Sequence, residues 1–386
     1  MSLSPPSPAP HGATDRVTIC RICHGEHLTP VLDLGEQASA DHFPPADDPG
    51  PDPRWPLALM ICADCALVQL AYRSPEEEEP RAVESATSRT HAAAMAPKVA
   101  AGAGLDDAAA ILECSSSHGG SWASALTSLG YAVTADRLDD ERTYDLVIDN
   151  HSMIHDEDTD GAFAARVAHV APDGTFAIEF HHALPFLTRT QFDTIRHGHP
   201  VYLSLHAWSA LCTRHGFVVV DAWPEDVYGG CLVVLARRTG APTPRVGAIL
   251  AAEREAGLTS AAGFVDFADR AKVIGDALRA FLQGAAERGE QVAAYGAGSK
   301  AALLLGASGI DADLLPVTAD LAPAKQGRRI PGTSIAILSP QQLVARRPHQ
   351  VVILLWDLAD EVVAQLREAG LTETRFVVPA PQLRVI

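Results

Sequence analysis

The sequence predicts an α/β protein with a small cysteine-rich N-terminal module, a central α/β domain and a second, C-terminal α/β domain. Its 386 residues suffice for two or three domains of ordinary size. Beyond residue 110, short apolar runs alternate with stretches of helical periodicity, which is typical of a mainly parallel sheet covered by helices. Near the N-terminus, four of the seven cysteines form two Cys-x-x-Cys pairs. These pairs indicate a metal-bound module in a reducing compartment, not a secreted disulfide framework.

The predicted elements follow in order along the chain. Residues 1–16, rich in proline and small residues, are expected to be a disordered leader, and residues 17–75 the cysteine module. The central domain is expected over residues 90–240, with strands at 110–114, 131–135, 145–149, 174–180, 218–222 and 232–236 and helices at 162–170 and 206–215. Residues 245–290 are expected to be a helical connector, with an apolar stripe at helical spacing that includes Phe267, Leu278 and Leu282. A C-terminal domain over 291–386 then has strands at 291–295, 316–319 and 351–355 and a helix from residue 299.

The composition argues against several classes of function. Hydrophobic residues make up 47% and charged residues 20% of the chain, as in an ordinary globular protein. The formal net charge of −18 disfavours general binding to nucleic acid or anionic lipid, although a local basic pocket could hold one diphosphate. No window reaches the ~20 apolar residues of a membrane span, and the leader lacks the apolar core of a signal peptide. We therefore expect a cytoplasmic protein with no membrane or nucleic-acid partner.

The two Cys-x-x-Cys pairs predict a single metal site. Each pair can place two thiolates on one turn, and two such turns form a tetrahedral sulfur site that suits Zn²⁺. Four protein ligands leave no open position, so the zinc would be structural. The alternative is two unrelated cysteine pairs. The predicted ligands are Cys20, Cys23, Cys62 and Cys65. The other three cysteines lie in apolar contexts and are expected to be core residues: Cys114, Cys212 and Cys231.

A first strand–loop–helix unit has the shape that a nucleotide-type ligand needs. The strand that ends near Glu113 runs into a small-residue loop, which includes Ser115 and Gly119, and a helix follows from residue 122. Glu113 could accept hydrogen bonds from the ligand. Asp136, 23 positions further on, ends the next strand and is placed to bind a ribose hydroxyl pair. The loop is rich in serine where such loops are usually rich in glycine.

A second strand–turn–helix unit predicts a phosphate site in the C-terminal domain. A Gly-x-Gly turn ends at Gly298, and Lys300 lies in the first turn of the following helix. With Lys325 and its basic neighbours at 328–329, these groups could bind a diphosphate. One alternative is a packed turn with solvated lysines. Another is an NAD-dependent oxidoreductase. The missing third glycine counts against it, and so does the lack of an acid ~20 residues further on, since Asp320 lies at the end of a later strand.

Several segments together resemble the nucleotide-sugar C-methyltransferases, which use S-adenosylmethionine on keto deoxysugars. The segments that carry the resemblance are residues 20–37, 62–70, 190–205, 228–232, 294–300, 323–327 and 355–361. The resemblance implies a zinc-binding N-terminal domain, a central Rossmann-like methyltransferase domain and a C-terminal Rossmann-like domain that binds the sugar nucleotide. It also implies an enzyme of deoxysugar or antibiotic biosynthesis with a nucleotide diphosphate sugar as its substrate.

In that family an enzyme base removes the proton next to the sugar ketone, and the enolate attacks the methyl group of the cofactor. The residue carried over as base is His199, with His197 beside it. A neutral imidazole can accept a proton near physiological pH. The alternative is a pair of solvated loop histidines. Tyr202 could donate a hydrogen bond to the enolate oxygen or simply pack against its neighbours.

The resemblance also assigns contacts with substrate and cofactor. Positions expected to contact the substrate or to orient the active-site loop are Gln191, Asp193, Tyr228 and Gly229. His181 is added because it directly follows the strand 174–180, near the carboxyl edge of the sheet. Positions that match the family near the cofactor are Asn150 and His155.

This chain departs from the family pattern at the active site and in its cofactor half. The family's Tyr-His-Glu-His is replaced by the segment 196–199, where Arg196 stands in place of the tyrosine; a guanidinium can also stabilise an oxyanion. The loop 115–119 and the short spacing over 137–144 are altered too. A first alternative therefore enolises a nucleotide-linked sugar without methyl transfer, as an epimerase, isomerase or lyase, with His181 and His182 as further acid–base candidates. The other interpretation of these two histidines is packing in the core or a loop. A second alternative is a non-catalytic sugar-nucleotide-binding protein.

Overall fold

The computed structural model describes residues 15–48, 50–73, 83–115, 120–135, 138 and 141–386. Gly119, Asp136 and most of the leader therefore lie outside the described residues. The strands in the described part are β1 (Leu28–Ala38), β2 (Arg54–Cys62), β3 (Val68–Leu70), β4 (Ala110–Ser115), β5 (Ala132–Ala135), β6 (Tyr144–Asn150), β7 (Val170–His181), β8 (Val201–Tyr202), β9 (Val218–Glu225), β10 (Cys231–Arg237), β11 (Val292–Tyr295), β12 (Val317–Ala319), β13 (Ala336–Leu338), β14 (Gln350–Ile353), β15 (Arg375–Val378) and β16 (Arg384–Val385).

The helices share the outer layers of the fold and connect these strands. They are α1 (Ala86–Ala103), α2 (Ala123–Ser128), α3 (Thr159–Val167), α4 (Ala183–Thr188), α5 (Leu205–Arg214), α6 (Pro244–Glu255), α7 (Phe267–Glu287), α8 (Ser299–Ala307), α9 (Pro340–Arg346) and α10 (Ala359–Glu368). None of the described helices is both long and apolar enough to cross a bilayer.

The central sheet has the strand order β5-β4-β6-β7-β10-β9. Strands β5, β4, β6 and β7 are parallel, and β10 pairs antiparallel with both β7 and β9, so that β10 alone runs in the opposite direction among the described strands of this sheet. The chain passes from β4 to β5 on one side and then crosses to β6 on the other, so a topological switch point lies between the carboxyl ends of β4 and β6. The predicted α/β class is confirmed, and every strand predicted in this domain is present with small shifts at its ends.

The C-terminal sheet has the order β13-β12-β11-β14-β15-β16, in which all pairs are parallel except the last. Its central strands are buried on both faces, which explains why their sequences read as continuous apolar runs. The predicted apolar stripe of the connector is present on α7, where Phe267, Leu278 and Leu282 are buried. The stripe packs into the core of the C-terminal sheet.

The N-terminal sheet, β1-β2-β3-β8, takes its fourth strand from a distant part of the chain. Val68 pairs with Tyr202, and Leu70 N–H donates to the carbonyl of Pro200 over 2.9 Å. The cysteine module therefore holds the predicted active-site segment directly. One apolar core also joins this sheet to the connector and the C-terminal sheet. The predicted boundaries 17–75, 90–240, 245–290 and 291–386 remain proposals.

A buried carboxylate fixes the connector to the central domain. Glu253 of α6 accepts hydrogen bonds from His182 Nε2 over 2.7 Å, His206 Nδ1 over 2.6 Å and Leu205 N–H over 2.6 Å. Burial raises its pKa, but the hydrogen bonds from the two histidines outweigh burial and lower the pKa to about 2. His182, a candidate for acid–base work from sequence, serves here as a partner of this carboxylate.

The Glu253→Gln variant is expected to lose about 3 kcal/mol of unfolding free energy at pH 7. Because the folded pKa lies below the unfolded value of about 4.3, the carboxylate contributes fully above that pH and loses its contribution as pH falls towards the folded value. The difference between wild type and variant should therefore shrink below pH ~4. Urea unfolding measures it. The control is Glu255→Gln, which changes an exposed residue of the same helix. Equal losses of unfolding free energy in both variants would contradict the stabilising role assigned to Glu253.

Candidate active site

A cavity of about 520 Å³ lies where the central domain, the start of α1 and the C-terminal domain meet. This volume is within the range of small-molecule sites. Its wall includes residues that follow β6, the last residue of β7, three residues of the segment 194–199, the turn between β11 and α8, and several residues between 355 and 365. Of the predicted site residues, it brings together His155, His181, Arg196, His199, Tyr228, Gly298, Lys300 and Lys325.

Arg196 and His199 form a hydrogen-bonded pair on the cavity wall. Arg196 Nη2 donates to His199 Nε2 over 2.8 Å. A guanidinium cannot accept, so Nε2 is the acceptor and the neutral imidazole carries its proton on Nδ1. Asp41 fixes the guanidinium from behind, with Arg196 Nη1 donating to Asp41 Oδ1 over 2.7 Å in a pair that is almost fully buried. The arrangement combines a cation with a neutral proton acceptor.

Two further imidazoles surround His199. The His155 ring lies edge-on to it with centroids 4.8 Å apart, and the His181 ring lies 6.2 Å away. His155 Nδ1 donates to the carbonyl of Gly198 over 3.0 Å, which fixes the tautomer of a neutral His155. Burial lowers the pKa of His181 well below its usual value, so this ring is neutral at physiological pH.

His197 and Tyr202 do not line the cavity, contrary to the expectation that they act there. His197 is buried and donates to the carbonyl of Trp55 over 3.3 Å, and burial lowers its pKa to about 4. The Tyr202 hydroxyl accepts from Arg196 N–H over 3.1 Å, and its ring stacks on Phe186. Tyr202 therefore positions the backbone of Arg196. The reason is the pairing of β8 with β3, which turns both residues into the module's core.

Gln191, Asp193 and Gly229 hold the loops of the site together and do not face the cavity. Gln191 Nε2 donates to the Gly229 carbonyl over 2.6 Å. Asp193 accepts from Trp356 Nε1 over 2.6 Å, and burial raises its pKa to about 6. Gly229 has φ +92°, and a Cβ there would lie 2.6 Å from the Trp356 ring. These contacts join the central domain to the segment that follows β14.

In the part of the cavity predicted to bind phosphate, one lysine is already paired with a carboxylate of the chain itself. Lys300 Nζ donates to Asp357 Oδ2 over 2.8 Å and to the carbonyl of Tyr228 over 3.2 Å. Lys325 is 2% exposed and donates to the carbonyl of Ala297. Asp320 directly follows β12 and accepts from Ala297 N–H over 2.7 Å. Asp320 thus occupies the strand-end position for an acid, and its sequence position does not count against a nucleotide site.

At the switch point, the cofactor candidates form a compact polar group. Glu113, 1% exposed, accepts from Trp122 N–H, Ser121 Oγ and Asn150 Nδ2 over 2.6, 2.8 and 2.6 Å. Asn150 is fully buried, and its Oδ1 has no hydrogen-bond partner among the described residues. A buried acceptor of this kind fits an ammonium or hydroxyl group of a ligand. Ser115 is the last residue of β4; Gly119 and Asp136 lie outside the described residues.

The four predicted zinc ligands converge. The sulfurs of Cys20 and Cys65 lie 3.5 Å apart, as do those of Cys23 and Cys62, and all four lie within 4.8 Å of one another. Tetrahedral coordination at Zn–S bonds of about 2.3 Å places sulfurs about 3.8 Å apart. The quartet is a structural zinc site.

Three residues that the sequence reasoning missed complete the site. Asp41 orients Arg196, and Asp320 caps the phosphate turn. Glu361 accepts from Ala86 N–H, Thr87 N–H and Thr87 Oγ1, so a carboxylate of α10 caps the N-terminus of α1 across the cavity. Glu361 lies within the segment 355–361, which carries part of the family resemblance, whereas no local sequence pattern marks Asp41.

Comparisons with known proteins agree with this architecture. Residues 226–381 match the family model described as "C-methyltransferase C-terminal domain", and residues 20–78 match the model described as "Putative zinc binding domain". The first match covers the C-terminal part of the chain, and the second covers the cysteine module.

Similar proteins include C-methyltransferase NovU from Streptomyces niveus, which is 34% identical over 244 residues, 62% of this chain and 58% of NovU. The alignment thus spans less than two thirds of that relative. Among solved structures, the glycopeptide N-methyltransferase MtfA is 13% identical with a TM-score of 0.28, over 38% of this chain and 90% of its own. Magnesium protoporphyrin IX methyltransferase from Synechocystis PCC 6803 is 10% identical with a TM-score of 0.30, over 40% and 84%.

Proposed function

We propose that this protein is an S-adenosylmethionine-dependent C-methyltransferase that acts on a keto deoxysugar carried by a nucleoside diphosphate. The observation that carries the proposal is the Arg196–His199 pair on the wall of a cavity that Lys300 also lines. The match of residues 226–381 to the C-methyltransferase C-terminal domain model and the likeness to NovU support methyl transfer to carbon.

The chain's own residues account for the formation of an enolate. A substrate ketone oxygen would take the hydrogen bond that Arg196 Nη2 now donates to His199. The lone pair of His199 Nε2 would then be released to accept the proton from the adjacent carbon. The electrons of the C–H bond form the enolate, whose oxygen the guanidinium stabilises. Asp41 and the Tyr202 hydroxyl keep Arg196 in place during this transfer.

S-Adenosylmethionine would supply an electrophilic methyl group when bound. Asn150 and Glu113 are the described residues placed to hold it, and the unpartnered Asn150 Oδ1 fits a ligand donor. At the other end, Lys300 is placed to bind a diphosphate oxygen in exchange for Asp357. Arg89 and Lys325 also line the cavity.

A second candidate is enolisation without methyl transfer. Glu113 already accepts three hydrogen bonds from the chain itself, so its carboxylate is occupied before any cofactor arrives. The Arg196–His199 pair needs no cofactor to exchange a proton. An epimerase, isomerase or lyase on the same sugar nucleotide would use this pair alone. A non-catalytic sugar-nucleotide-binding protein would use neither the pair nor the cofactor.

Deuterium exchange separates these candidates. A thymidine diphosphate keto deoxysugar is incubated with the protein in D₂O, with and without S-adenosylmethionine, and the products are analysed by NMR and mass spectrometry. Methyl transfer with the cofactor supports the first candidate. Deuterium exchange without any methyl transfer supports the second. Neither reaction, with binding of the sugar nucleotide retained, would overturn both.

Replacing Lys300 with alanine is expected to weaken binding of thymidine diphosphate about tenfold to hundredfold, because a charge-assisted hydrogen bond is lost. Isothermal titration calorimetry measures the change. The exposed Lys272→Ala is the matched control. Because Lys300→Ala leaves Asp357 unpaired, the double variant with Asp357→Asn is measured as well. Unchanged affinity in both Lys300 variants would place the diphosphate elsewhere.

A further inference from the structure

A second cluster of metal-binding side chains lies at the carboxyl edge of the central sheet, away from the cysteine quartet. His151 directly follows β6, Glu179 is near the end of β7, and Cys231 begins β10. The sheet brings them together: Asn150 pairs with Glu179, and Cys231 pairs with the residue at 181. Glu179 and Cys231 are each 1% exposed, and His151 is 8% exposed.

The distances among the three side chains match a metal coordination sphere. Cys231 Sγ lies 3.9 Å from His151 Nε2, and His151 Nε2 lies 3.5 Å from Glu179 Oε2. All three ligand atoms lie within 4.8 Å of one another. A tetrahedral ion with bonds of about 2.0–2.3 Å places its N, O and S ligands about 3.3–3.8 Å apart. An ion could therefore enter with only small side-chain movements.

We propose that His151, Glu179 and Cys231 bind a divalent transition metal of the Zn²⁺ type, separate from the structural zinc. One thiolate and one carboxylate neutralise the two charges of the ion, and the imidazole is a ligand that zinc accepts equally well. With three protein ligands, one coordination position remains open, as in catalytic zinc sites.

The contacts and backbone conformation of these side chains are typical of metal ligands and not of an ordinary polar cluster. His91 Nε2 donates to Glu179 Oε1 over 2.5 Å, which leaves Oε2 directed towards His151, as in second-layer contacts around metals. His151 has φ +55°, a left-handed conformation that costs energy for a residue other than glycine.

The open position would face the cavity, since one of the three ligands lines the cavity wall. His151 lines its wall, and so does His181, whose Nδ1 lies 3.9 Å from Cys231 Sγ. A keto or hydroxyl oxygen of a bound substrate is the class of ligand that this position would take, and a metal ion there would polarise it. Cys231, expected from sequence to be a small core residue, is thereby assigned a ligand role. The metal site itself does not depend on the proposed methyl transfer.

Metal analysis tests the proposal. The protein is equilibrated with Zn²⁺, freed of loosely bound metal by gel filtration, and measured by inductively coupled plasma mass spectrometry. Wild type is expected to hold about two zinc ions per chain and Cys231→Ala about one. The matched control Cys212→Ala, also a buried cysteine but outside both clusters, should hold about two. One ion in wild type, or two in Cys231→Ala, would overturn the proposal.

A second measurement guards against misfolding of the variant. With the cysteine quartet occupied by zinc, Co²⁺ is added to wild type, Cys231→Ser and His151→Ala, and the absorption spectrum is recorded. Wild type should show a sulfur-to-cobalt charge-transfer band with tetrahedral ligand-field bands. Cys231→Ser should lose the charge-transfer band while far-UV circular dichroism stays unchanged. An identical cobalt spectrum in wild type and Cys231→Ser would refute thiolate coordination at this site.

Discussion

Replacing His199 with asparagine is expected to slow exchange of the proton next to the substrate ketone about 100-fold to 10,000-fold, with methyl transfer slowed in parallel. Asparagine can still accept a hydrogen bond from Arg196, so the loop should keep its conformation. It cannot take a proton, because its amide has no basic nitrogen. The readouts are deuterium incorporation into the sugar and product formation under saturating substrate.

His349→Asn is the control for this substitution, because the exposed His349 lies outside the cavity and should leave both rates unchanged. A His155→Asn variant separates the two neighbouring imidazoles. If His199→Asn kept wild-type exchange while His155→Asn lost it, the proton acceptor would be His155. Its Nδ1 already donates to the carbonyl of Gly198, so Nε2 would be the accepting atom. Wild-type exchange in both His199→Asn and His155→Asn would exclude these two imidazoles as the proton acceptor.

Replacing Cys62 with alanine is expected to cost at least about 4 kcal/mol of stability, because structural zinc sites contribute on the order of 10 kcal/mol in small domains. We expect a fall of about 10 °C in the thermal midpoint. The loss should extend to activity, since β3 pairs with β8 and the hydroxyl of Tyr202 accepts from Arg196 N–H. The zinc module is thus coupled to the Arg196–His199 pair.

Differential scanning calorimetry, zinc content and deuterium exchange are measured on the same samples. Cys212→Ala is the matched loss of a buried thiol and should retain both zinc and exchange activity. Cys62→Ala should lose one zinc ion and keep the ion at His151, Glu179 and Cys231. A variant with full exchange activity and an unchanged midpoint would show that the quartet does not support the active-site segment.

Much of this protein could be predicted from local sequence patterns. The Cys-x-x-Cys spacing places two sulfurs on one turn independently of the rest of the fold. The cysteine quartet could therefore be predicted from the sequence. Alternating apolar runs and helical stripes identified the strands of the central sheet and the buried face of α7. The segment 190–205 identified Arg196 and His199 through its resemblance to a family.

Tertiary structure decided which of these groups act together. Asp41 and Arg196 are 155 residues apart, and only the packing of the N-terminal sheet brings the carboxylate behind the guanidinium. Strand order placed His151, Glu179 and Cys231 side by side and turned His197 and Tyr202 away from the cavity. Periodicity depends on the geometry of one segment, whereas strand order depends on how segments pack, and a single sequence carries no direct record of that packing.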